Sequence, residues 1–97
     1  MSPDPALEIR HDPAAGRFEA SPDGLPCELL YRMRDGVMCI HHTEVDPRLE
    51  GRGIAARLVR AAFDWARAQG VKVEPLCSYV RAYVRRHPDL LPQIAGG

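Results

Sequence analysis

A chain of 97 residues with 45% hydrophobic content can build one modest core, and 13 basic against 13 acidic side chains leave no global field to draw it onto nucleic acid or an anionic membrane. Three widely spaced cysteines, Cys27, Cys39 and Cys77, suit neither a disulfide framework nor a Cys-x-x-Cys metal site, so reduced thiols and no metal are expected. The amino terminus is acidic where a secretory signal is basic, and no apolar run approaches a membrane span, so a soluble, cytoplasmic protein is expected.

Ser2 to Pro5 reads as a frayed start. Ala6 to His11 alternates Leu7 and Ile9 with Glu8 and Arg10 and predicts a first strand; Asp12 to Gly16 has turn chemistry, and Arg17 to Ala20 returns as a second strand around Phe18. Ser21 to Pro26 is a connection. Cys27 to Met33 and Val37 to Val45 are the strongest strand candidates, and Asp35-Gly36 between them signals a hairpin. Both strands carry apolar residues on both alternations, which predicts a central hairpin covered on both faces. Adjacent His41 and His42 are expected to face opposite ways.

A glycine-punctuated turn follows, Leu49-Glu50-Gly51-Arg52-Gly53, and feeds a helix that opens near Ile54. Such a turn gathers unpaired backbone N–H groups at the positive end of a helix dipole, which makes a cradle for phosphate. Along the helix Ile54, Leu58, Ala62, Trp65 and Ala66 form an apolar stripe opposite Arg57, Arg60, Asp64 and Arg67, and Gly70 ends it. Val71 to Val73 predicts a short strand, broken by Pro75 and parallel to Val37–Val45 through a right-handed crossover. Ser78 reads as the N-cap of a last helix, Tyr79 to Arg86, with Tyr79, Val80, Tyr83 and Val84 inward and Arg81, Arg85 and Arg86 outward. Asp89 to Gly97 reads as a tail of undetermined order.

The run Val45-Asp46-Pro47-Arg48-Leu49-Glu50-Gly51-Arg52-Gly53-Ile54-Ala55 resembles the pyrophosphate-binding signature of the GCN5-related N-acetyltransferases, Gln/Arg-x-x-Gly-x-Gly/Ala. Further matches are similar to a subfamily of minimal acetyltransferases of this length: His42 with Thr43 before the turn, Pro75 with Cys77 after the fifth strand, and His87 with Pro88 at the end of the last helix. The resemblance spans about Leu7 to Leu90. Glu50 departs from the signature, standing where Gln or Arg is usual. The chain also has no counterpart of the helical segment after the first strand, nor of the two carboxy-terminal strands that build the acceptor pocket in longer members.

What the resemblance implies is acetyl-CoA. The backbone of Thr43, Glu44 and Val45 would pair with the pantetheine, the N–H groups of Gly51, Arg52, Gly53, Ile54 and Ala55 would hold the pyrophosphate, and Arg52 would add a charged contact. The thioester would lie near the start of the last helix. Amine attack on a thioester needs a base for the amine and a proton for the departing thiolate. Cys77, just before a helix N-terminus, is a candidate nucleophile. Tyr79 and Tyr83 are candidate acids, and His41, His42 or Glu44 a candidate base. Each has a plainer reading: a small cysteine filler, tyrosines in the core, histidine and glutamate on a solvated sheet.

The expected architecture is one α/β (α+β) domain over residues 1 to 97, with its core in about 7 to 90. It is a reduced acetyltransferase fold: a mostly antiparallel sheet of about five strands with one parallel pair and two helices. Three functional classes follow: acetyl-CoA-dependent N-acetyltransferase acting on a small amine, a protein lysine or an N-terminus; a CoA or acyl-CoA binding module without turnover; or an interaction domain using the arginines of the last helix. The zero net charge argues against a nucleic-acid partner.

Overall fold

A computed structural model describes residues 7 to 96, so Ala6 and the expected frayed start lie outside the described residues. Strand β1 (Arg10–Asp12) passes through the Pro13–Gly16 turn into β2 (Arg17–Ala20). Gly16 sits there at φ 66°, its carbonyl accepting the Tyr31 N–H at 2.9 Å. A Cβ at Gly16 would fall against the Tyr31 carbonyl oxygen, so the backbone approach needs glycine. β3 (Cys27–Arg34) and β4 (Val37–Val45) form the hairpin. Its two-residue turn puts Asp35 and Gly36 at φ 53° and 76°, the left-handed pair that matches strand twist. Helix α1 (Ile54–Gln69), strand β5 (Lys72–Pro75) and helix α2 (Ser78–Arg86) complete the described residues with three 3-10 turns, Pro22–Gly24, Pro47–Leu49 and Pro88–Gln93.

The sheet order is β1-β2-β3-β4-β5, antiparallel except for the β4/β5 pair. One face carries Phe18, Leu29, Tyr31, Met38, Ile40 and Val73. These pack with Ile54, Leu58, Val59, Ala62, Phe63 and Ala66 of α1 and Val80, Tyr83 and Val84 of α2 in one cluster. Trp65 packs against its edge beside His11 and Tyr31, with ring centroids 4.8 and 5.9 Å away.

The expectation that the hairpin is covered on both faces does not hold. The second face of the sheet presents Glu28, Arg32, Arg34 and Glu44 of the hairpin and Glu74 of β5, and among the described residues both helices pack on the other face. The apolar residues on that face are Leu30, Val37 and Cys39, which sit among charged neighbours with Leu30 and Val37 only partly buried, and the pairing there is irregular. Leu30 opposes His42 and Tyr31 opposes Ile40, so His41 is an extra residue in β4. The bulge changes the alternation, so that Met38 and Ile40 before it share the core face with Thr43 and Val45 after it. His41 and His42 therefore do not face opposite ways: the bulge leaves both on the open face.

Three boundaries also differ from expectation. β1 begins at Arg10, although Leu7 and Ile9 still pack against the core. β5 runs on to Pro75 rather than breaking before it, because a proline that ends a strand removes only a terminal donor. The carboxy-terminal segment is ordered by the core: Leu90 is buried, Ile94 bridges Val73, and Ala95 N–H donates to the Val73 carbonyl at 2.8 Å.

Candidate active site

β4 pairs with β5 only from Val37 to Ile40. At that point the Ile40 carbonyl accepts two donors, the N–H groups of Leu76 at 2.9 Å and of Cys77 at 3.1 Å. The chain then turns away into α2, and His41 to Val45 continue without a β5 partner on that side. The Asp46 N–H donates to the Pro26 carbonyl. By the alternation of an antiparallel pair, the peptide groups of Glu44 and His42 therefore also face β3, and those of Thr43 and Val45 face the gap. The result is a V-shaped seam with a row of backbone donors and acceptors along one wall.

Cys77, not Ser78, occupies the N-cap of α2, with extended backbone at φ −82° and ψ 135°. Its Sγ lies 3.5 Å from Thr43 Oγ1, and α2 carries basic residues in its last turn. Burial raises the pKa of the thiol. The Thr43 hydroxyl and the N–H groups of Val80, Tyr79 and Thr43 lower it by more, so that it lies below the ordinary thiol value. A thiol at a helix N-terminus with several facing donors is the setting that favours thiolate. The other two cysteines behave oppositely: burial pushes both Cys27 and Cys39 up, and Glu74 pushes Cys39 further.

The glycine turn lies at the other end of the seam. Asp46 caps the Pro47–Leu49 turn by accepting from Arg48 N–H at 2.9 Å, and it pairs with the Arg48 guanidinium. Those two bonds, side chain first, hold the Asp46 carboxyl down to about 2. Gly51 and Gly53 both take positive φ, 86° and 73°, and Gly53 is the α1 N-cap. The first intrahelical bond runs from Arg57 N–H to the Gly53 carbonyl, so the N–H groups of Ile54 and Ala55 head the helix without intrahelical acceptors. A Cβ at Gly51 or Gly53 meets nothing within 4 Å, which leaves the approach open. Arg52 is engaged with Asp23 at 2.8 Å, and Glu50 is exposed to solvent.

The remaining residues singled out by sequence divide between two places. His42 Nε2 and Glu44 Oε1 lie 3.1 Å apart on the open face, and with Glu28 they form a trio whose ligand atoms lie within 4.8 Å of one another. Thr43 and Cys77 are on the other side of the sheet. Tyr79 is half-buried on the first turn of α2, its phenol pushed up by burial and partly offset by Arg86. Tyr83 is buried, and its hydroxyl accepts from Arg60 Nε at 3.2 Å. Its ring stacks on His87 at 4.1 Å, and Arg60 also reaches Asp89 at 3.2 Å. This bridge between helices and tail had no local signal in the sequence, because its members are 23 to 29 positions apart.

The family model described as "GCN5-related N-acetyl-transferase" matches residues 17–93, which takes in the seam, the glycine turn and Cys77. The chain belongs to this family. Its curated relatives include Protein NATD1 of Xenopus tropicalis, 32% identical over 96% of this chain and 86% of that one, and Protein NATD1 of Mus musculus, 33% identical over 90% and 80%. The solution NMR structure of a GCN5-like protein from Staphylococcus aureus superposes with TM-score 0.75 over 97% of this chain and 93% of that one, at 24% identity. That likeness carries the fold: the five-stranded mixed sheet with one parallel pair and two main helices is a small GCN5-related architecture. Among the described residues, no helix of this family member is long and apolar enough to cross a membrane.

Proposed function

We propose that the protein moves an acetyl group from acetyl-CoA to an amine. The observation that carries this reading is the Cys77 thiol, seated at the N-cap of α2 where the seam opens and 3.5 Å from Thr43 Oγ1. Three features of the chain fit the donor. The helix-heading N–H groups and the two positive-φ glycines suit a pyrophosphate; the outward peptide groups of Thr43 and Val45 suit the amides of pantetheine; and Cys77, at the far end of the seam, is placed to meet a thioester. When bound, acetyl-CoA supplies an activated acyl group.

The chemistry of the chain follows. With acetyl-CoA held there, Cys77 would be the residue whose sulfur attacks the thioester carbonyl and takes the acetyl group, while the CoA thiolate would be displaced and protonated. An unprotonated amine then attacks that acyl carbon, its proton passes to a base, and the Cys77 thiol is regenerated. Tyr79, kept protonated by burial, is the proton donor for the departing thiolate. The His42–Glu44 pair stands on the face opposite Cys77 and would serve as base for an amine that reaches the acyl carbon through the gap where β4 and β5 part. Tyr83 is given a packing role, since its hydroxyl serves Arg60. The arginine-rich helix is a weaker basis for function, because Arg81 donates to the carbonyls of Pro75 and Leu76 and closes the β5 end.

Intact-protein and peptide mass spectrometry after incubation with acetyl-CoA tests the reading. One acetyl group on Cys77, discharged by added amines and absent in Cys77→Ser, is expected. Gly53→Glu, which puts a carboxylate into the cradle, is expected to abolish CoA binding in calorimetry. Binding without acyl transfer to Cys77 or to any amine would leave a CoA-binding module in place of an enzyme, and absence of binding by the wild type would overturn the proposal.

A further inference from the structure

The open face of the sheet is zoned by charge along the strands. Glu19, Glu28 and Glu44 form one cross-strand row, with Glu19 met by Arg10 and Arg17 at 3.7 Å. Beyond the bulge the sign reverses. Arg32 opposes Cys39 and Arg34 opposes Val37, and both arginines are exposed. Among the described residues, neither Arg32 nor Arg34 meets a carboxylate within ion-pair distance, whereas Arg10, Arg17, Arg48, Arg52, Arg60 and Arg67 all do.

These two arginines line a hollow of about 60 Å³ with Cys39, His41 and Leu76. At about 30 Å³ per water, it holds roughly two waters, or one carboxylate-sized group. Its position matters as much as its charge. Leu76 adjoins Cys77, and His41 adjoins His42, so the hollow opens at the point where β4 and β5 part, on the face opposite the thiol. One carboxylate lies beside its floor: the Cys39 thiol donates to Glu74 Oε1 at 3.4 Å, so the two arginines face a single acidic neighbour and leave the hollow with an excess of positive charge.

We propose that this hollow is the acceptor's second anchor, taking a carboxylate on the amine that receives the acetyl group, so that the preferred acceptors are amino acids or other amino-carboxylates rather than simple amines. The inference rests on the acetyl-transfer reading. Charge complementarity selects the occupant: an amine directed to the His42–Glu44 side and an anionic group directed to Arg32 and Arg34. The His42 and Arg32 rows are two residues apart on β3, about 7 Å along the strand, which suits a compact molecule carrying both groups. Arginine is suited to this role because its planar fork grips a carboxylate through two parallel bonds.

The test is NMR titration of the full chain, following the His41 ring resonances. The probes are ω-amino carboxylates of increasing chain length, each with its carboxamide counterpart. Saturable His41 shifts from at least one carboxylate, absent with its carboxamide and weakened about tenfold or more in Arg32→Gln/Arg34→Gln, are expected. No shift from any carboxylate, an equal shift from the carboxamides, or unchanged binding in a folded double variant would each overturn the proposal. The carboxylate–carboxamide comparison on the wild type stands even if the double variant does not fold. Acetyl transfer is a separate readout: failure of transfer both to Cys77 and to every amine would sink the acetyl-transfer reading, while the His41 titration still decides whether the hollow takes a carboxylate.

Discussion

Replacing Thr43 by valine removes one hydroxyl at nearly constant volume and isolates its effect on the Cys77 sulfur 3.5 Å away. The Tyr79, Val80 and Thr43 N–H groups remain, so the loss is partial. A hydrogen bond to an ionised group is worth about 1.5–3 kcal/mol at good geometry, and for a part-buried contact to sulfur about 1 kcal/mol is the appropriate expectation. At about 1.36 kcal/mol per tenfold, the thiolate population falls about fivefold on the low-pH side of its titration. The sign follows from the depressed folded pKa: thiolate is present above it and lost as pH falls through it, so removing a donor moves the profile to higher pH. Iodoacetamide alkylation across a pH series, assigned to individual cysteines by peptide mass, measures this directly. Cys27 and Cys39, both buried and pushed upward, serve as slow internal references. An alkylation profile of Cys77 that is unmoved by Thr43→Val, or that shifts to lower pH, would refute the reasoning.

Other outcomes follow from the packing. Leu90→Ala empties a fully enclosed site in the carboxy-terminal turn; a loss of about 2–5 kcal/mol, read as a fall in Tm of at least about 8 °C, is expected, and a neutral result would mean that the tail is no part of the core. Gly16→Ala and Gly36→Ala both force a left-handed alanine at a cost of about 1–2 kcal/mol, but only Gly16 also meets the Tyr31 carbonyl, so urea denaturation should show Gly16→Ala the more destabilised; equal losses would discard the close-approach argument. His11 stacks on Phe18 at 3.9 Å and shares a 2.6 Å hydrogen bond with Tyr31 Oη, and burial depresses its pKa, with Asp12 opposing. Its contribution to stability is therefore present above the ordinary histidine range and lost as pH falls through its lower folded value. His11→Gln should flatten that part of a stability-versus-pH curve, and an unaltered slope would assign it elsewhere.

Elements whose signal is local were legible in the sequence. The Asp35-Gly36 turn, the α1 stripe and its Gly70 stop, and the glycine turn each follow from backbone chemistry within a few residues. The bulge at His41 had no such signal, because it is set by the partner strand: once Ile40 opposes Tyr31 and His42 opposes Leu30, the extra residue has nowhere else to go. That one displacement misled the reading of how the two histidines face. The helix cap was missed by one residue for a related reason. Serine is the better cap by propensity, but the double grip of the Ile40 carbonyl on Leu76 and Cys77 fixes where extended chain ends and leaves the cap position to the cysteine. The tail was not read as ordered because Leu90 and Ile94 sit among prolines with no period, and only the finished core gives them a place.

The divergence of β4 and β5 also has a consequence for the behaviour of the protein in concentrated solution. An unpaired strand edge is a template for another strand, and proteins guard such edges. Here the β5 side is covered by the tail, with Lys72 Nζ holding the Pro92 carbonyl at 2.6 Å and Ile94 alongside Val73, and β1 at the opposite margin is only three residues long. Among the described residues, the long uncovered edge is His41–Val45, where the seam is widest. The backbone proposed above to face a pantetheine is thus the same backbone that a second chain could pair with, and any ligand lying along it would protect the protein from self-association as it binds.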